Sequence, residues 1–200
     1  MSRRQRPAPE LFQAALDGDR SSLARLLSLI ERGDDDARTI GRLAYPLSGS
    51  GYTIGLTGAP GAGKSTLTSS IIGHLRKQDL EIAVLAIDPS SPFTGGAILG
   101  DRVRMQEHAT DPGVFIRSMA TRGHLGGLSL ATPEAVRLLD AIGRKWILVE
   151  TVGVGQVEVE VAGKADTTVV VVNPGWGDSI QANKAGLMEI ADVFVINKAD

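Results

Sequence analysis

An aliphatic run at 52–57 passes directly into Gly58, Ala59, Pro60, Gly61, Ala62, Gly63, Lys64, Ser65 and Thr66, and a helix-forming stretch follows at once. No other segment constrains the fold so tightly. The pattern is G-x-x-x-x-G-K-S/T in the setting that gives it meaning, with a strand before it and a helix after it. Glycines here let the backbone wrap closely, so that successive N–H groups point inward at an anion. The helix presents its positive N-terminal end to the same place. Lys64 then suits the β- and γ-phosphates of a nucleoside triphosphate, and the Ser65 hydroxyl suits Mg2+.

The rest of the chain after Gly51 alternates short aliphatic runs with helical stretches. Strands are expected at 52–57, 81–87, 114–118, 146–150, 167–172 and 193–197. Several are nearly unbroken apolar runs, as parallel strands covered on both faces require. Helices are expected at 64–77, 101–109, 133–142 and 180–190. This predicts an α/β fold of the P-loop NTPase type, a mostly parallel sheet with helices on both faces and right-handed crossovers.

The first part of the chain has a different pattern. After a basic tail at 1–8, apolar residues recur at helical spacing, with Pro9 suited to a first turn. Ser21 or Ser22 can cap a second helix whose stripe is Leu23, Leu26, Leu27 and Ile30, ending at Gly33. A third helix is expected at about 35–43. The Ser48-Gly49-Ser50-Gly51 linker marks a boundary, giving a short N-terminal helical extension at 1–47 and a nucleotide-binding domain at 48–200.

Composition removes several classes. With 21 basic and 23 acidic residues the net charge is −2, which argues against a protein that coats nucleic acid by bulk charge. The chain has no cysteine, so disulfides, Cys-ligated zinc, iron–sulfur clusters and thiol catalysis are excluded. No apolar run approaches the roughly 18 residues of a membrane span, and the N-terminus lacks an apolar signal core. A soluble cytoplasmic protein is expected.

Mg2+ takes oxygen ligands, so acids at strand ends are the candidates to accompany Ser65. Asp88, Asp101 and Glu150 fit, all expected near the C-terminal edge of the sheet, where such folds bind ligands. An N-cap role is the alternative for Asp101. Glu150-Thr151-Val152-Gly153 stands where most GTPases carry D-x-x-G, so Gly153 is placed to sense a γ-phosphate through its N–H. Asn197-Lys198-Ala199-Asp200 follows the last aliphatic run as N-K-x-D. A carboxylate accepts from both the ring N–H and the exocyclic amine of guanine, whereas adenine offers an unprotonated ring nitrogen there. Asp200 therefore selects GTP over ATP, with the Lys198 stem along the base. A domain of this kind needs a further strand or helix and another base-contacting loop, so the chain reads as part of a longer protein.

Several blocks resemble one family. They are 55–66 around the phosphate loop, Val84-Leu-Ala-Ile-Asp-Pro-Ser-Ser91, 94–105, 116–127 and Glu150-Thr-Val-Gly-Val-Gly-Gln156. In order and spacing these are similar to the metallochaperone branch of P-loop GTPases that includes MeaB, the methylmalonyl-CoA-mutase-associated GTPase also called ArgK or LAO/AO transport ATPase. The resemblance implies a GTPase that gates delivery of adenosylcobalamin to a cobalamin-dependent acyl-CoA mutase and protects that mutase. It implies that Asp88, Asp101 and Glu150 surround Mg2+ and the phosphates, that 88–105 is a first switch, and that 173–186 is a third. It also implies a homodimer formed through a C-terminal arm that follows this sequence.

For the chemistry, Lys64 and Mg2+ neutralise the phosphates, and Glu150 or Asp101 orients the attacking water. Gln156, Arg104 and Arg122 are weaker candidates for positioning water or adding cationic charge. Trp176 and Lys184 are candidates for partner contact, and His124 for the nucleotide side. His74, His108 and His124 lie in separate elements, which disfavours a histidine metal site. Three other readings stand beside this one: a nickel-insertion maturation GTPase, an ATPase or kinase of an amino-acid (LAO/AO) transport system, and a scaffold that holds GTP without hydrolysing it.

Overall fold

The structure is a computed structural model, and it describes residues 6–33, 35–88, 106–120, 125–151, 162–174 and 187–199. The candidate residues Asp101, Gly153 and Asp200, and Arg104, Arg122, His124, Gln156, Trp176 and Lys184, lie outside them.

Among the described residues six strands form one sheet: β1 (Tyr52–Gly58), β2 (Ile82–Asp88), β3 (Val114–Ala120), β4 (Trp146–Thr151), β5 (Thr167–Val172) and β6 (Val193–Ile196). Their order is β3-β2-β4-β1-β5-β6 and every neighbouring pair is parallel. This is the expected α/β P-loop NTPase architecture. Alternate residues of β2, β3 and β4 enter two separate cores, which is why these strands read as continuous aliphatic runs. Ile82, Val84 and Leu148 join Leu56 and Ile72 on one face, under α4 (Lys64–Arg76). Ala83, Leu85, Ile87, Ile147 and Val149 face the other way. There they pack with α1 (Ala8–Leu16), α2 (Arg20–Arg32), α3 (Asp35–Ala44) and α5 (Leu125–Ala141). On the outer strand β6, Val193, Phe194 and Ile196 are exposed. Among the described residues, no helix is long and apolar enough to cross a membrane.

The sequence misleads at three element ends. α5 starts at Leu125, well before the expected 133, and runs through Pro133. Proline usually opens a helix because it has no N–H to give. Here Ala131, Ala135, Leu138 and Leu139 are buried on one side, and that packing carries the helix through the missing hydrogen bond. Of the helix expected at 101–109, residues 106–108 form a 3-10 turn. The cap of α2 is Asp19 and neither serine. The Ser21 backbone N–H donates to Asp19 Oδ1 at 3.0 Å, the Ser21 hydroxyl to the same oxygen at 2.8 Å, and the Ser22 hydroxyl to Oδ2 at 2.6 Å. At the other end Gly33 takes the left-handed conformation, φ 68°, that closes the helix.

α2 also guards the β3 edge. Arg20 donates to the carbonyls of Val114 at 2.7 Å and Asp111 at 3.1 Å, and Arg117 of β3 pairs with Glu31 at 2.6 Å. At the start of β3 the Val114 carbonyl is thereby occupied, one of the ways an edge strand is covered.

The 48–51 linker is held by one carboxylate. Asp140, 8% exposed near the end of α5, accepts from the backbone N–H groups of Gly49, Ser50 and Gly51, the last at 2.7 Å. A Cβ on Gly51 would stand 2.9 Å from Asp140 Oδ1 and 3.0 Å from the Arg144 carbonyl, so the close approach requires glycine. This clamp sets where β1 begins, and β1 delivers the phosphate loop.

Two predictions follow from these contacts. Hydrogen bonds from Ser22 and then Ser21 hold the Asp19 carboxyl at about 2, below its ordinary 3.8. The ionised cap therefore stabilises the fold above that ordinary value, and its contribution is lost as pH falls towards about 2. Asp19→Asn should flatten this limb of a stability–pH profile followed by urea denaturation. Asp140→Asn keeps the side chain's size but faces backbone donors with a neutral amide. It should cost about 1–3 kcal/mol in a denaturation midpoint experiment, and an unchanged midpoint would show that the clamp is idle.

Candidate nucleotide site

All the described site residues lie at the C-terminal edge of the sheet or in the loop leaving it. β1 ends at Gly58, with φ 142°, where a Cβ would lie 2.1 Å from the Val171 carbonyl of β5. Only glycine allows the chain to turn there. Ala62 N–H then closes back on the Ala59 carbonyl at 3.1 Å, and Gly63 adopts φ 95° as the residue before α4. No side chain caps that helix end, so its first-turn N–H groups are presented to the loop rather than to a capping residue.

Lys64 is 7% exposed and folds over the loop. Its ammonium donates to the carbonyls of Gly58 at 2.7 Å and Ala59 at 3.1 Å. The cation thus lies against two carbonyls of the loop, neutral acceptors weaker than a charged phosphate oxygen.

Ser65, one residue on, donates to Glu150 Oε1 at 2.6 Å. Glu150 is 2% exposed near the end of β4, paired in register with Leu56 of β1 and Ala86 of β2. Its other oxygen, Oε2, accepts from Thr68 at 2.7 Å. A buried carboxylate and a buried hydroxyl side by side make a hard oxygen pair of the kind Mg2+ takes. Asp88 closes β2 one register step beyond the Ile87–Thr151 pair, which brings its backbone to the same edge. Two buried oxygens near this edge, Thr57 Oγ1 and Asn173 Oδ1, have no hydrogen-bond partner among the described residues. Orphaned buried oxygens are rare in a finished core and mark an edge with unmet polar demand.

Asn197 and Lys198 reach the phosphate loop from β6. Asn197 Nδ2 donates to the Ala62 carbonyl and Lys198 Nζ to the Gly61 carbonyl, each at 2.8 Å. Lys198 does so from a left-handed backbone, φ 56°. A Cβ on Gly63 would stand 2.1 Å from Asn197 Nδ2, so the last loop glycine makes room for this brace. The N-K-x-D pattern gives no sign that two of its side chains tie down the loop at 58–66.

His74 and His108 stand apart from this edge. His108 Nε2 lies 2.9 Å from the Ser69 hydroxyl, and His74 lies 3.1 Å from Gln78 on the same helix. Thr68 is a site residue that motif reading missed. Its one signal is its spacing from Ser65, a single helical turn.

Comparison with known proteins agrees with this geometry. Residues 23–200 match the family model described as methylmalonyl Co-A mutase-associated GTPase MeaB. A protein of Pyrococcus abyssi (strain GE5 / Orsay), named as a GTPase, is 61% identical over 191 residues, covering 96% of this chain and 59% of its own length. The GTPase ArgK of Escherichia coli (strain K12) is 43% identical over 195 residues, with 96% and 59% covered. The crystal structure of an LAO/AO transport system kinase superposes with a TM-score of 0.72 at 33% identity, over 96% of this chain and 57% of that one. The chain therefore spans somewhat under two thirds of the length of each of these relatives. It belongs to the MeaB family of methylmalonyl Co-A mutase-associated GTPases.

Proposed function

We propose that the protein binds and hydrolyses GTP with Mg2+, and that this cycle gates adenosylcobalamin loading and protection of a cobalamin-dependent acyl-CoA mutase. The observation that carries the nucleotide part is the buried Ser65–Glu150 pair, 2.6 Å apart and one residue from Lys64. The family match, whose description names methylmalonyl Co-A mutase, supports the partner. Cytoplasmic location and a homodimer of the full-length protein belong to the same reading.

Each residue has a defined job. The backbone N–H groups from 61 to 66 surround the phosphates. Lys64 exchanges its two carbonyl partners for β- and γ-phosphate oxygens, and the neighbouring helix end adds its positive potential. Ser65 and Glu150 fit Mg2+ by donor type and burial, and Asp88 and Asp101 are proposed beside them. An ion held there would neutralise phosphate charge. Glu150 or Asp101 orients the attacking water, and Gly153 N–H reads the γ-phosphate. Asn197 and Lys198 keep the loop in shape, while Asp200 accepts from the guanine edge. Phosphoryl transfer needs placement and charge stabilisation more than covalent chemistry, and these groups supply both.

The test uses the full-length protein. GTP and GDP should displace a labelled guanine nucleotide while ATP fails at a hundredfold excess, and Asp200→Ala should erase that preference. Lys64→Ala should weaken GTP binding by about tenfold or more, the effect of losing charge-assisted bonds worth at least about 1.4 kcal/mol. GTP hydrolysis should be slow alone and faster with the mutase. Equal displacement by ATP would favour the transport-kinase reading, and no response to a verified mutase would remove the chaperone role.

A further inference from the structure

Thr68 sits in the middle of α4, fully buried, beside a core cluster of Leu56, Ile72 and Leu148. A hydroxyl is a poor choice there on helix propensity and on desolvation alone. Mid-helix threonines usually turn the hydroxyl back to the carbonyl four residues earlier. That contact exists here, to the Lys64 carbonyl at 3.0 Å, but Glu150 Oε2 is closer at 2.7 Å. The hydroxyl has one proton, and the shorter contact to the acidic side chain is the stronger claim on it.

Ser65 and Thr68 are one helical turn apart, so their hydroxyls face the same side and meet the two oxygens of one carboxylate. They do not have equal duties. Ser65 belongs to the phosphate loop, and its oxygen is committed to the ligand when the site fills. Thr68 lies a turn deeper and has no phosphate to meet. We infer that Thr68 is a positioning residue for GTP hydrolysis, the fixed anchor that holds Glu150 Oε2 so that Oε1 stays turned toward Ser65 and the nucleotide. This inference rests on Glu150 serving the nucleotide site as proposed above.

The experiment compares full-length wild type, Thr68→Val, Thr68→Ser, Glu150→Gln and the Thr68→Val/Glu150→Gln double variant. Valine keeps the shape of threonine and removes the donor. One readout is the Mg2+ concentration that half-maximally slows release of a fluorescent GDP, and the other is steady-state GTP hydrolysis. Thr68→Val should raise the Mg2+ midpoint and lower kcat, each by about tenfold, the range expected for losing a hydrogen bond to a charged group. KM and the GDP release rate in excess chelator should stay within about twofold of wild type, since the phosphate loop itself is untouched. Thr68→Ser should restore both quantities, and Thr68→Val should add nothing in the Glu150→Gln background. Thr68→Ala carries the same expectation and guards against a failure of the valine variant to fold.

A folded Thr68→Val or Thr68→Ala protein with wild-type kcat and Mg2+ midpoint overturns the inference, as does full additivity in the double variant. If Glu150→Gln alters both quantities while the Thr68 variants do not, only Thr68 is wrongly assigned. If Glu150→Gln alters neither, the role of Glu150 falls and this inference falls with it.

Discussion

A carboxylate buried to 2% exposure at the end of a central strand is costly to desolvate, and Glu150 is tolerated because α4 brings it two hydroxyl donors. α4 starts at the phosphate loop, β4 lies next to β1 in the sheet, and the Ser65–Glu150–Thr68 contacts lock helix to strand. Lys64 is held by the carbonyls of Gly58 and Ala59, so the cation and the carboxylate are in place on a rigid scaffold. Placement of this kind is what phosphoryl transfer asks of a protein.

The strand order explains why these groups can meet at all. β1 and β4 are adjacent, with β2 beyond β4 and β5 and β6 beyond β1, and all six run in one direction. Every strand therefore delivers its C-terminal residue to one edge: Gly58, Asp88, Thr151 and, just past β6, Asn197. At the opposite end Asp140 holds the 48–51 linker and Asp166 accepts from the Thr53 N–H at 2.7 Å, so two carboxylates fix the start of β1. The N-terminal helices share a core with α5 and the β2–β4 side of the sheet, and α2 shields the β3 edge.

Much of this was legible in the residues. The phosphate loop is legible because few sequences can follow its backbone: Gly58 has a carbonyl where a Cβ would go, and Gly63 has the Asn197 amide. The strands are legible because burial on both faces leaves no choice but aliphatic runs. Helix ends were less so. Pro133 looks like a helix start until the packing of Ala135 and Leu138 is known, and Ser21 and Ser22 look like caps although they donate to the true cap, Asp19. Thr68 and the loop-bracing role of Asn197 and Lys198 depend on contacts between segments far apart in the chain, and no local pattern encodes those. Asp101, Gly153 and Asp200, read from sequence as site residues, lie outside the described residues.

The central claim is that a guanine nucleotide seats on the loop at 58–66 and that the segment at 197–199 responds with it. Amide hydrogen exchange on the full-length protein, with and without a slowly hydrolysed GTP analogue and Mg2+, tests this most directly. Protection should rise together across 59–66 and 197–199 when the analogue binds. Tight binding of the analogue that leaves exchange at both segments unchanged would contradict it.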